Sequence, residues 1–177
     1  DHRGDSQMLA TASWDRTAVV WSDVEPGPMA RLPHQAGVTC VKFSPNGELL
    51  ATAQGDGVVK LWRIAKREPH VQRIELETSA TAVRFSADGR LVMASGTSFH
   101  GGRLNKLAAY ETATAKQIGQ TASTDGIIVD ALFAPNAERA IAAVSFRKTR
   151  PGVTAVRDDP KDEGRIQAWN LVTGTLL

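Results

Sequence analysis

"HQAGVTCVKFSPNGELLATAQGDGVVKLW", residues 34–62, decides the fold of this chain. "VTCVKF" (38–43) is rich in β-branched and aromatic residues and reads as a strand. "SPNGE" follows as its turn, with Pro45 and Asn46-Gly47 supplying the bend. "LLATA" (49–53) reads as the next strand, and "QGDG" (54–57) as a tight turn. "VVKLWRI" (58–64) reads as a third strand and "VQRIEL" (71–76) as a fourth. The segment therefore predicts a four-stranded antiparallel unit. No stretch of comparable length carries a 3.6-residue apolar period, so almost no helix is expected.

The unit recurs on both sides. "LATAS" at Leu9 returns as "LATAQ" at Leu50, 41 residues later, and Trp21 and Trp62 are also 41 apart. "FSPNG" at Phe43 returns as "FSADG" at Phe85 and as "FAPNA" at Phe133, steps of 42 and 48. "YETATA" at Tyr110 is echoed by "WNLVTG" at Trp169. Four strands every 40 to 50 residues is the period of a β-propeller blade. The fold expected is all-β: a partial propeller of about 3.5–4 blades in a single domain over 1–177. Residues 1–33 read as the last three strands of one blade, and 34–76 and 77–122 as full blades. Residues 123–177 read as three strands and the start of a fourth. A seven-bladed ring at this period needs about 290 residues. The chain also starts at Asp1, so it is expected to be a piece of a longer protein.

Composition adds exclusions. Twenty-one basic against 19 acidic residues leave a net charge of +2, which gives no reason to expect a nucleic-acid or membrane-surface binder. No apolar run reaches the length of a membrane helix, and no signal-peptide pattern is present. Cys40 is the single cysteine, which leaves the compartment open with a reducing, cytoplasmic one preferred.

"LATASWDRTAVVW" (9–21) resembles the strand–turn–strand signature of the WD-repeat family, and "HQAGVTCVKFSPNGELLATAQGDGVVKLW" matches it nearly completely. The third and fourth units depart from the pattern: Tyr110 stands where Trp is usual, and neither has the leading His. The first signature is similar to bacterial WD-repeat regions that follow kinase or signalling-ATPase domains. The resemblance implies a buried hydrogen-bond network of His34, Asp56 and Trp62, with Gln54 in place of the usual hydroxyl residue. It assigns Ser13, Asp15 and Trp21 the same roles in the first unit. On that basis His34 is expected to hydrogen-bond Asp56, as structure rather than as a catalytic dyad.

Other candidate chemistry is thin. His2, His34, His70 and His100 are at least 30 residues apart and no Cys-x-x-Cys exists, so no metal site is expected. Asp158, Asp159, Asp162 and Glu163 read as a solvated loop face rather than a cation site. "GDG" (55–57) and "HGG" (100–102) read as turns, and "GDS" (4–6) lacks a nucleophile elbow. Cys40 reads as core. The expectation is a protein-interaction scaffold or sensor module of a larger signalling protein, neither an enzyme nor a cofactor binder. The alternative is a regulatory or substrate-recruiting propeller attached to a kinase or signalling ATPase.

Spacing points to the binding loops. From the third-strand aromatic to the next Phe the steps are 22, 23 and 23 residues (Trp21–Phe43, Trp62–Phe85, Tyr110–Phe133). From that Phe to the aromatic of its own unit they are 19, 25 and 36 (Phe43–Trp62, Phe85–Tyr110, Phe133–Trp169). The extra length is placed between second and third strands, at 97–104 and 147–164. Phe99, His100, Arg147, Lys148, Arg150 and Arg157 in those loops, with Trp14 in the first unit's equivalent turn, are the candidate protein-partner contacts. Taken alone, residues 1–177 are expected to self-associate through unpaired strand edges and an uncovered blade face.

Overall fold

Every sheet in this protein meets its neighbours face to face, and the alternation of side chains along each strand sets which neighbour a residue touches. The computed structural model describes residues 8–22, 24, 26–64, 71–98, 105–135, 137–146 and 163–177. Among these there are 14 strands and no helix. Strands β1 (Met8–Ala12), β2 (Thr17–Ser22) and β3 (Pro28–Pro33) form the first sheet. Strands β4 (Val38–Phe43), β5 (Leu49–Gln54), β6 (Val58–Arg63) and β7 (Val71–Glu75) form the second. The third holds β8 (Ser79–Phe85), β9 (Leu91–Thr97), β10 (Asn105–Glu111) and β11 (Gln117–Thr124). The fourth holds β12 (Ile127–Phe133), β13 (Arg139–Phe146) and β14 (Glu163–Asn170), and a single bridge pairs Trp169 with Leu176 beyond it. All pairings are antiparallel between strands consecutive in sequence, which makes each sheet a meander and the whole a partial β-propeller.

Three apolar cores lie between the four sheets. The first joins Ala10, Ala18 and Val20 of sheet one to Phe43, Leu50 and Trp62 of sheet two. The second sets Ala53, Val59 and Leu61 against Val83, Val92 and Tyr110. The third sets Met93, Leu107 and Ala109 against Ala140, Val144 and Trp169. Each seam thus has a large aromatic on the later sheet and small or medium residues on the earlier one. Cys40 is half-buried at the edge of the second core, so it is a core-edge residue and not fully enclosed.

Local chemistry repeats with the sheets. Ser44 accepts from the Leu49 amide and donates to Asn46, closing the β4–β5 turn; Ser86 does the same with Leu91 and Asp88. A bulge interrupts each first-to-second strand pairing at the same repeat position, between Val38 and Cys40, Ala80 and Ala82, and Ile128 and Asp130. In the second sheet the bulged Thr39 donates to the carbonyls of Ala53 and Ala80 (3.1 and 2.8 Å), which ties that sheet to the third. The extra length of the third and fourth units does fall between second and third strands: β9 ends at Thr97 and β10 starts at Asn105, while β13 ends at Phe146 and β14 starts at Glu163.

The β5–β6 turn is braced against the segment that leads to the third sheet. Gly57 has φ +89°, its carbonyl accepts the Leu76 amide at 2.9 Å, and an added Cβ would sit 2.5 Å from the Leu76 carbonyl oxygen. Backbone on both sides leaves no room to relax. Gly57→Ala should therefore cost about 2–4 kcal/mol in denaturant melts. Gly164→Ala, where a Cβ meets nothing within 4 Å, should stay within about 0.5 kcal/mol of the parent. Equal effects at the two positions would show that the turn is not braced.

Candidate functional site

The His34 network is built from strand alternation. In β5, Leu50 and Thr52 lie on the face turned to the first sheet, and Trp62 pairs with Leu50 from the neighbouring strand β6. The Trp62 indole N–H donates to the Thr52 hydroxyl oxygen at 3.0 Å. The His34 ring touches the same hydroxyl through Nε2 at 2.8 Å, and the Leu32 carbonyl through Nδ1 at 2.8 Å. A carbonyl only accepts, so Nδ1 carries the proton and Nε2 accepts from Thr52. The result is a one-way relay: indole to hydroxyl, hydroxyl to imidazole, imidazole to backbone. His34 and Trp62 also meet edge to face, with centroids 5.4 Å apart.

This arrangement corrects two sequence readings. The hydroxyl of the network is Thr52, two residues before Gln54, because the residue beside the indole must share the face of Leu50. Gln54 instead accepts the Gln35 amide through Oε1 at 3.2 Å, and its buried Nε2 has no partner among the described residues. The His34–Asp56 hydrogen bond is not made either. Asp56 is exposed and accepts the Val58 amide within its own turn (3.2 Å), so it closes the turn and acts on the imidazole only through space. The first sheet repeats the correction. Trp21 donates to Thr11 at 3.1 Å, while Ser13 and Asp15 serve the turn. Asp15 accepts from the Thr17 amide and hydroxyl, and the Asp15 amide donates to Ser13. Those bonds, Thr17 first, hold the Asp15 carboxyl below the usual range.

The network is complete once among the described sheets. In the third and fourth sheets the position of Thr52 is filled by Ala94 and Ala142, and that of His34 by Leu76 and Thr124. Tyr110 and Trp169 are buried there by apolar packing alone. The signal was available in the sequence: "LATA" occurs twice and each copy contains the threonine.

Burial pushes the His34 pKa down to about 4, with nearby Lys60 adding to the fall; the Leu32 carbonyl and Asp56 oppose it. Lys60 donates to the Pro33 carbonyl at 3.2 Å and lies over the Trp62 ring at 5.3 Å. A neutral, fully bonded imidazole is a structural clasp between the strand-leading loop and the sheet.

Trp14 differs from every other described tryptophan. It is 78% exposed in the β1–β2 turn, and its ring rests on Gly37 of the loop entering the second sheet. A Cβ on Gly37 would sit 2.6 Å from Trp14 Cε3, so this seat requires glycine. The ring is thereby fixed across the seam between two sheets with most of its surface open. Phe99, His100, Arg147, Lys148, Arg150, Arg157, Asp158, Asp159 and Asp162 lie outside the described residues. Glu163 pairs with Arg165 at 2.8 Å. Among the described residues no group of three or more His, Cys, Asp or Glu is placed to hold a metal ion.

Comparison with known proteins follows the same lines. The model for the WD domain, G-beta repeat, matches residues 1–22 and 27–63. Over 141 residues the chain is 29% identical to periodic tryptophan protein 2 of Saccharomyces cerevisiae, covering 75% of this chain and 14% of that protein. It is 36% identical over 62 residues to apoptotic protease-activating factor 1 of Rattus norvegicus, covering 34% of this chain and 5% of that protein. It is 38% identical over 69 residues to human WD repeat-containing protein 37, covering 38% of this chain and 14% of that protein. The chain thus spans 14% or less of the length of these three relatives. A solved chain of Kuenenia stuttgartiensis hydrazine synthase superposes with a TM-score of 0.78 at 12% identity, covering 96% of this chain and 49% of that one. At that identity the likeness is one of fold, and the shared fold is the β-propeller.

The relay sets two measurable effects. Thr52→Val strands the buried Trp62 N–H and His34 Nε2 and should cost about 2–4 kcal/mol, against under about 1 kcal/mol for Asp56→Ala. The reverse order in denaturant melts would remove the relay. The second effect is pH dependence. His34 is harder to protonate folded than unfolded, so the unfolded chain binds more protons between the unfolded value near 6.5 and the folded value near 4. Stability should be fully present above 6.5 and fall as pH drops toward 4, by about 2–3 kcal/mol from this residue. His34→Gln should flatten that slope.

Proposed function

This chain belongs to the WD-repeat family, and from that premise we propose that it is a protein-interaction scaffold whose contact face carries the β1–β2 turn. One observation carries the reading: an open tryptophan held in place on a rigid frame. Burying an exposed Trp against a partner releases a large apolar area, and Gly37 has already fixed the ring, so little side-chain entropy remains to be lost. Such residues are common anchors of protein interfaces. The long connections between β9 and β10 and between β13 and β14 join second to third strands, as the Trp14 turn does, and second-to-third-strand connections of a propeller emerge on one face. Phe99, His100, Arg147, Lys148, Arg150 and Arg157 would then add to the same contact surface.

The finer reading is that the module senses or regulates within a larger polypeptide. It is supported by the match to a 5% stretch of apoptotic protease-activating factor 1, a protein named for activating a protease.

A photo-crosslinking residue placed at position 14 tests the contact face. It should trap a protein partner that the same probe at Thr121, on the third sheet's outer strand, does not. Trp14→Ala should weaken that partner by at least about tenfold while shifting unfolding by no more than about 0.5 kcal/mol. Trapping at both positions alike, or unchanged affinity in the alanine variant, would rule out this face.

A further inference from the structure

The fourth sheet turns an apolar face to solvent that its equivalents in the other sheets bury. The residue three before the third-strand aromatic is Ala18, Val59, Leu107 and Ile166 in the successive sheets. The first three are fully buried, while Ile166 is 82% exposed. The residue eight after the first-strand Phe is Ala51, Met93 and Ile141: the first two are buried and Ile141 is 45% exposed. Beside them on the same sheet, Leu132 is 58% exposed and pairs with Ile141. An open patch of this kind is a surface shaped for another sheet, since the same positions receive one at every internal seam.

The matching half lies at the other end of the chain. At each internal seam the later sheet brings an aromatic, Trp62, Tyr110 or Trp169, onto this face of the earlier one. Trp21 occupies that position on the first sheet, opposite Leu9 and bonded to the exposed Thr11, and it is partly exposed. Its side chain is thus pointed away from the core shared with the second sheet, where Ala10, Ala18 and Val20 lie.

We propose that the open face of the fourth sheet receives the first sheet of a second copy of this chain, so that two copies close one ring. Trp21 of each copy seats against Ile141 and Ile166 of the other. The contact is heterologous and formed twice about a two-fold axis, which closes rather than polymerises when the rotation fits. Four sheets from each copy give eight, within the range of known propellers. The amount of chain agrees: 96% of one copy superposes on 49% of a single solved propeller-containing chain, so two copies supply what that chain supplies alone. This inference rests on the sheet faces and is independent of the Trp14 reading.

Light scattering coupled to size exclusion, run on the 1–177 chain over a range of concentrations, tests it. The expected species has twice the 19.0 kDa chain mass. Ile166→Lys and Trp21→Glu should each raise the dissociation constant by about 30-fold or more. Unchanged far-ultraviolet circular dichroism shows that each variant is folded. An equimolar mixture of the two variants should regain a dimer, because the mixture retains one intact seam. Three results would overturn the proposal: a wild-type monomer at every concentration, which leaves the face to a further sheet or another partner; a dimer that Trp21→Glu does not weaken, which means face-to-face pairing; or an open ladder of larger species.

Discussion

The structure depends on one recurring contact, an aromatic side chain on the third strand of each sheet packed into the small-residue face of the sheet before it. Trp62, Tyr110 and Trp169 make that contact at three seams. Burying one such ring fully is worth roughly 2–3 kcal/mol of transfer free energy. No sheet here has a core of its own; each is a single layer whose two faces are completed by neighbours. Stability therefore resides in the seams, as in other stacked-repeat proteins. An end sheet differs from an inner one for the same reason. The pattern that buries Leu107 leaves its counterpart Ile166 in water.

The polar relay around His34 has a second place in that scheme. Apolar packing sets two sheets together but fixes their relative height only loosely. A directional chain through Trp62, Thr52, His34 and the Leu32 carbonyl fixes it, because every buried donor and acceptor must find its partner in one arrangement. Where Ala94 and Ala142 replace the threonine, the seams rely on shape alone. The seam with the relay is also the one bridged on its outside by Trp14. The aromatic offered to a partner thus sits on the most tightly specified part of the frame, which keeps its position rigid on binding.

Repeat period, sheet composition and the absence of long helical segments were legible in the amino-acid sequence, because a 41-residue recurrence of Leu-Ala-Thr-Ala and Trp leaves few architectures that bury those residues. The insertion of extra length between second and third strands was legible too, from spacing alone. The membership of the His34 network was not. A linear motif orders residue types along the chain, whereas a hydrogen bond needs side chains on one face of one sheet. Alternation along β5 puts Thr52 and Leu50 together, so the partner of His34 and Trp62 is Thr52 rather than Gln54 or Asp56. The seat of Trp14 on Gly37 and the exposure of Ile166 likewise join residues distant in sequence or depend on which sheet stands alongside. By itself the sequence determined the strands, because period and turn chemistry are local properties. Which face each side chain meets was decided by tertiary structure, because burial belongs to a pair of sheets and not to either one.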